Sequence, residues 1–553
     1  MPSILLALSL MCALIAPAFA SPSDNTLRIG LREDTDVLDP TLSGTYVGRI
    51  IFAGMCDKLF DYDQKLNIVP QLATGYEYKD PTHLILHLRP GVLFQDEEKL
   101  DATAVKYNLN RDQTMPRSLR KGQINSIASI DVIDPLTVEL VLKAPDSALL
   151  AQLAGRPGIM LAPEVAEKEG ADFGLHPVCA GPFKFEERVP QQKIVLERFE
   201  HYWDAQAIHF DRVEYIPIVN SAVSLANLQT GQLDLAERVV PTDVPAVEKD
   251  PKLGITMDTS LANESIMFNT ANGPASKNPM GESAKLRQAF ELAISREALI
   301  HVVYNGLYAP IAQANPPSSQ FYVPSVVPPE RDIKAAKAMV DASGFKPPIT
   351  LTLLVPNSPD LLQAAQVIQA MVQPAGFDLK IRAMEAASSL AAARAGDFQA
   401  FLIAWSGRAD ADGNMYSFLH SDTASTTGTT PTPRSTRCWT RHVPCRLWRT
   451  AGRFMPRCGN WNARTCRISI SGRQRTSSAS RRRCKGSVRC RTGSSVCRAC
   501  SLRSSVRACQ PVRTSEQRRD IMSVSPETAP HAFDFACLWA AARHCRAGPR
   551  IAI

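Results

Sequence analysis

The sequence predicts an α/β fold of at least two lobes, and three observations carry that expectation. The chain has 553 residues, enough for two or three packed cores. From Leu27 to about Asp422, short β-like runs alternate with amphipathic helices. In the later part of that region the order becomes strand, helix, strand at lengths that make βαβ units and a parallel or mixed sheet.

The elements follow in chain order. Ile4 to Ile15 form a short apolar run, and Ala18-Phe19-Ala20 offers a small-x-small cleavage site before Ser21. That pattern reads as a secretory signal, too short to remain as a membrane span. Leu84 to Leu88 and Val138 to Leu142 read as strands. Asp101 can cap a helix running through Arg111, with Val105 and Leu109 on one face. A helix from about Ser283 carries Leu286, Phe290 and Ile294 on a stripe and ends near Gly306. Another starts at Asp332 and stops before Gly344. Then come a strand Ile349 to Val355, a helix opened by Ser358-Pro359 and closed near Gly376, and a strand Asp378 to Arg382. A short Ala-rich helix and a strand Phe398 to Trp405 complete the series. The Pro-rich stretch Asn315 to Pro329 reads as a surface connection between helices.

Charge divides the chain at about residue 424. The stretch beyond it holds 26 of the 62 Lys and Arg, only 4 of the 54 Asp and Glu, and 11 of the 14 Cys. The overall charge of +8 therefore says nothing about a nucleic-acid partner, because the part before 424 is acidic. No Gly-x-Ser-x-Gly, His-Glu-x-x-His or phosphate-cradling Gly loop is present, so no catalytic constellation and no cofactor is expected.

An ordered set of short signatures runs through residues 27–423. It includes Leu38-Asp39-Pro40, Val69-Pro70-Gln71-Leu72-Ala73, Leu88-Arg89-Pro90-Gly91-Val92-Leu93-Phe94 and Asn108-Leu109-Asn110-Arg111. It continues with Pro177 to Phe183, Tyr202-Trp203, Gly231-Gln232-Leu233-Asp234 and Arg287 to Arg296. Together these resemble the family 5 extracellular solute-binding proteins. Three departures stand out: Gln95-Asp96-Glu97 where a His-Asp-Gly turn is usual, Cys179 for a Gly, and Ser295 for an Asp. The lost glycines predict altered or strained turns.

The resemblance implies a two-lobed periplasmic binding protein of type II with an extra domain inserted in lobe I. Its expected parts are a signal peptide at 1–20, lobe I at 21–60 and 181–270, the extra domain at 61–180, and lobe II at 271–423. It implies a monomer in the periplasm that encloses a peptide or similar small solute and delivers it to an inner-membrane ABC permease served by a separate ATPase. Other solutes remain open, among them a nickel complex, haem, an opine or a sugar. A secreted hydrolase, and a binding protein that feeds a chemoreceptor or acts as a chaperone, are the rival classes.

The segment Trp405 to Asn414 follows an apolar strand, where ligands of α/β sheets gather. The resemblance makes Asp410 the candidate for a ligand ammonium group, while Arg408 could clamp a carboxylate. Trp405 is a stacking candidate and Asp412 a turn-capping or ligand-facing one. The competing reading is a solvated turn network with Trp405 in the core.

Residues 424–553 show no hydrophobic periodicity and are expected to be irregular. They also read as a gene translated out of frame. If each codon starts one base before the printed one, Thr432 to Thr440 permits Asn-Pro-Glu-Val-Asp-Ala-Leu-Leu-Asp, and Asn460-Trp461-Asn462 forces Leu-Glu. Both resemble the family, and they place a slip near Thr423 to Thr426. Loss of the segment that should complete both lobes predicts open sheet edges and impaired function.

Overall fold

The computed structural model describes residues 24–257, 260–317, 319–419 and 550–552. The expected signal segment, from Ile4 to the junction before Ser21, lies outside the described residues. So does the tail from 420 to 549, including the stretches that carry the frame-slip reading.

Lobe I is built on a seven-stranded sheet in the order Leu253–Ile255, Arg550–Ala552, Leu235–Ala236, Thr26–Leu31, Arg212–Pro217, Lys193–Arg198, Phe183–Val189. Thr26–Leu31 runs parallel to Arg212–Pro217 and to Leu235–Ala236, and every residue of it but Arg28 is buried. Ile29, Leu31, Phe183 and Tyr215 pack beneath the helix Tyr46–Met55, whose Ile51 and Phe52 are fully buried. Arg550–Ala552 corrects the expectation of an irregular tail for those three residues. It pairs in parallel with strands on both sides, and main-chain pairing asks little of sequence.

The extra domain holds a four-stranded antiparallel sheet in the order Ala73–Asp80, His83–Leu88, Thr137–Leu142, Ile127–Asp134. Val138, Leu140 and Leu142 alternate inward, the period-2 pattern of a half-buried strand. The helix Ala102–Thr114 lies against this sheet, and the Asp101 carboxylate caps it by accepting from Thr103 N at 2.8 Å and Ala104 N at 3.0 Å.

Lobe II has a four-stranded sheet in the order Asn263–Phe268, Ala400–Trp405, Ile349–Pro356, Phe377–Met384. Ile349–Pro356 is parallel to its two neighbours, and the helix Pro359–Val372 makes the crossover. Phe290 makes edge-to-face contacts with Phe268 at 5.5 Å and Phe377 at 5.3 Å in the core. Asn263–Phe268 pairs with Ala400–Trp405 along its whole length, so the sheet of this lobe already includes Asn263, ahead of the expected start at 271.

Two further expectations change. The single helix from Ser283 to Gly306 is two helices, Ala284–Leu292 and Arg296–Tyr304. Ser295 separates them because its hydroxyl accepts from Ala298 N, a capping role that the usual Asp would also fill. The Pro-rich stretch is not wholly a surface connection: Asn315 is 5% exposed, and its side-chain oxygen accepts from Asn414 Nδ2 at 3.2 Å.

Candidate ligand-binding cleft

A cleft of about 1150 Å³ lies between the lobes, with the extra domain contributing to one wall. Lobe I supplies Arg32, Glu33, Tyr46 and Arg49 from the chain that follows its first strand and from the helix Tyr46–Met55. Lobe II supplies Glu264, Tyr304, Glu385, Arg394 and Arg408. Contacts cross between the parts among the described residues. Arg32 pairs with Asp360 at 2.7 Å, Arg49 NH1 donates to Ser406 Oγ at 3.3 Å, and Gln152 Nε2 donates to Asp412 Oδ2 at 3.4 Å. The Arg32–Asp360 pair is mostly buried, and it joins the lobes across about 330 residues of sequence.

Trp405 and Arg408 stand on the cleft wall, while Asp410 and Asp412 are not among the residues that line it. The Arg408 guanidinium lies 4.7 Å from the centre of the Trp405 ring, and its NH1 donates to Ser406 Oγ at 3.0 Å. Trp405 Nε1 donates to Asn414 Oδ1 at 3.1 Å, which fixes the indole to the following helix. Gly407 makes the turn possible. It holds φ at 70°, and a Cβ there would meet the Leu261 carbonyl oxygen at 2.2 Å. Asp410 precedes the helix Ala411–Leu419 and accepts from Asp412 N at 2.7 Å and from Gly413 N, the geometry of an N-cap. Burial, helped by the nearby Asp146 carboxylate, lifts the Asp410 carboxyl to about 6 against those two bonds.

Apart from Arg408, two groups of charges on the walls went unread in the sequence. One is basic: Arg49, Arg120, Arg156, Arg394 and Arg408 all line the cleft. Arg156 is 8% exposed and Arg120 is 4% exposed. Burial lowers the Arg156 guanidinium well below its usual range, and Arg120, Arg408 and Arg49 push it further. Its NH2 donates to the Thr45 carbonyl and its NH1 to the Ser43 carbonyl at 3.2 Å. The other group is acidic. Burial raises the Glu33 carboxyl to about 7, with Glu237 and Glu385 adding to the lift. Burial also raises Glu264, although the Tyr304 hydroxyl donates to it. No local spacing signals these residues, because each wall is assembled from distant segments.

Cys56 and Cys179 form a disulfide across a separation of 123 residues, also unforeseen. Its signal was present: apart from Cys12 in the expected signal segment, these are the two cysteines before the basic tail. Among the described residues no helix is long and apolar enough to cross a membrane, and no cluster of His, Cys, Asp or Glu is arranged to hold a metal ion.

Comparison with known proteins gives one family. The model of "Bacterial extracellular solute-binding proteins, family 5 Middle" matches residues 67–426. The glutathione-binding protein GsiB of Salmonella paratyphi A is 30% identical over 387 residues, covering 69% of this chain and 73% of that protein. Among solved structures, AgaA of A. tumefaciens in complex with agropinic acid superposes with a TM-score of 0.72 at 23% identity, covering 80% of this chain and 91% of that one. DppA of Helicobacter pylori in complex with the peptide STSA gives 0.71 at 22% identity, covering 80% and 92%. These structures share the two-lobed α/β fold. With the signatures of residues 38–296 and the cleft between the lobes, the family match gives the conclusion that this chain belongs to the family 5 bacterial extracellular solute-binding proteins.

Proposed function

We propose that this protein is the periplasmic receptor of an ABC importer, that it takes up short peptides, and that it works as a monomer without catalysis of its own. The observation that carries the reading is the cleft itself. Its volume suits a short peptide, charged groups of both signs line it, and contacts from both lobes close over it. Closure around solute would present the permease with a surface that the open form lacks, and a separate ATPase would drive transport. The relatives support the same solute class, since GsiB is named for glutathione and the DppA complex holds a peptide.

Within this reading Arg408 and Trp405 form the lobe II wall of the site. Asp410 is proposed as the partner of the peptide ammonium, with its capping bonds holding the carboxylate in place, and Asp412 as part of the bridge to Gln152. Calorimetry on the full chain with trialanine and glutathione tests the function, and measurable binding of at least one is expected. Asp410→Asn should weaken that binding more than about tenfold, because a stranded ammonium in a dry cleft costs about 2–5 kcal/mol. Asp412→Asn should change it less than threefold. Unchanged affinity in Asp410→Asn, with a lowered melting temperature, would leave Asp410 as a helix cap alone.

A further inference from the structure

We propose that the basic end of this cleft is a carboxylate-binding subsite, which makes the preferred solute one with two or more carboxylates and a net negative charge. The inference rests on the peptide-receptor reading and narrows it. Arg120 and Arg156 are both more than nine-tenths buried and both line the cleft. The Nε of each is buried with no hydrogen-bond partner. A buried guanidinium N–H left unmade is costly, and it is a group that an incoming oxygen can satisfy. Their other nitrogens are taken by neutral acceptors: Ser43 O and Gln123 Oε1 for Arg120, and Ser43 O and Thr45 O for Arg156. These bonds orient the guanidinium groups without neutralising them.

The surrounding charge is unbalanced in the same sense. Arg120, Arg408 and Arg49 all act on Arg156, while Arg120 is offset in part by the Asp112 carboxylate and repelled by Arg394. The facing carboxylate Asp36 is engaged elsewhere, accepting from Ser43 Oγ at 2.8 Å and from Gly44 N at 2.7 Å. Five cationic groups held in one part of a partly closed cleft repel one another. An anion entering there relieves the repulsion and gains charge-assisted bonds. A single C-terminal carboxylate would leave much of that charge uncompensated.

The test is calorimetry at pH 7 on the full chain with four probes: glutathione, its glycine-carboxylate ethyl ester, trialanine and citrate. Glutathione should bind at least tenfold tighter than both its ester and trialanine. Arg156→Gln should lose at least tenfold for glutathione and less than threefold for trialanine, whose binding also reports that the variant is folded. If Arg156→Gln does not fold, Arg408→Gln should show the same selective loss. Equal affinity for glutathione, its ester and trialanine would overturn the subsite and leave the peptide receptor standing. Citrate binding without any peptide binding would keep the subsite and sink the peptide reading. No binding of any probe would overturn both.

Discussion

Asp57 is buried, and three donors converge on its carboxylate: Trp203 Nε1 at 2.7 Å, Tyr202 Oη at 2.9 Å and Gln71 Nε2 at 2.9 Å. Two of the family signatures therefore meet on one atom group at the neck between lobe I and the extra domain. Asp39 and Arg111, from two other signatures, form a bidentate pair at 3.1 and 2.7 Å and are both buried. These motif residues hold architecture rather than ligand. The Gln95-Asp96-Glu97 departure behaves in the same way. Gln95 Nε2 donates to the carbonyls of Met55, Gly181 and Phe183, while its Oε1 accepts from Cys179 N. Glu97 is the strained member, at φ 72°, a conformation that disfavours a side chain by roughly 1–2 kcal/mol. Glu97→Gly should therefore raise the urea midpoint by about 0.5–1 kcal/mol of stability with an unchanged m-value. A lowered midpoint would mean that the contact between Glu97 and His201, at 3.2 Å, outweighs the strain.

Buried carboxyls also set a pH dependence. Burial raises both Glu33 and Asp112 to about 7, so the native chain holds protons that the unfolded chain has released by about pH 4. Stability from these groups is complete below about pH 4 and is lost as pH rises through 7. Between pH 5.5 and 7.5, away from the range where ordinary carboxylates titrate, the stability in denaturant should fall with rising pH by on the order of 3–4 kcal/mol. A midpoint that rises over this window would contradict the assignment.

At the scale of elements, the disulfide lies where the chain leaves lobe I for the extra domain and where it returns. Cys56 follows the helix Tyr46–Met55, and Cys179 precedes the strand Phe183–Val189. Gly181 packs in the same neck, where a Cβ would meet the Met55 carbonyl carbon at 2.4 Å. The bond thus closes the insertion at its base. A loop of that length predicts about 4–5 kcal/mol from chain entropy, and removing a native disulfide typically costs about 2–5 kcal/mol. The double variant Cys56→Ser/Cys179→Ser should lose about 2–4 kcal/mol in denaturant. Non-reducing electrophoresis of the wild type should show faster migration than the reduced form. Comparable stability of variant and wild type would mean that the neck is held by Gln95 and Asp57 alone.

Strands and helices of this chain were legible where a local period or cap marks them. Val138, Leu140 and Leu142 alternate, and Asp101 and Asp332 start helices with their side chains. The break at Ser295 was hidden because the stripe of Leu286, Phe290 and Ile294 continues past the end of the first helix at Leu292. The segment Trp405 to Asn414 was legible as cleft-facing from its place after a strand, and Trp405 and Arg408 lie there. Arg49, Arg120 and Arg156 were not legible, because nothing local in a helix face or a Gly-Arg-Pro-Gly turn announces a partner hundreds of residues away. The cysteine pair was masked by eleven further cysteines in the tail.

At the scale of the whole molecule, the lobe I sheet has a slot between Leu235–Ala236 and Leu253–Ile255. Arg550–Ala552 occupies it with two pairs on one side and three on the other. Such a short strand contributes backbone bonds, and the residues that lead into it lie outside the described ones. In an α/β lobe, a strand in that position is normally delivered by a connection that covers a sheet face. The shifted frame of residues 424–553 would supply family-like sequence here, with Asn-Pro-Glu-Val-Asp-Ala-Leu-Leu-Asp in place of Thr432 to Thr440. We therefore predict that the underlying DNA carries one extra or one missing base near codons 423–426. A chain read through the corrected frame should bury more surface, and the slope m of its denaturant transition grows with the surface exposed on unfolding. Both m and the midpoint should rise relative to the present chain, with one transition replacing a broader one. Equal m and equal midpoint for the two chains would mean that the returning segment adds no packed structure, and the out-of-frame reading of the tail would fall with that result.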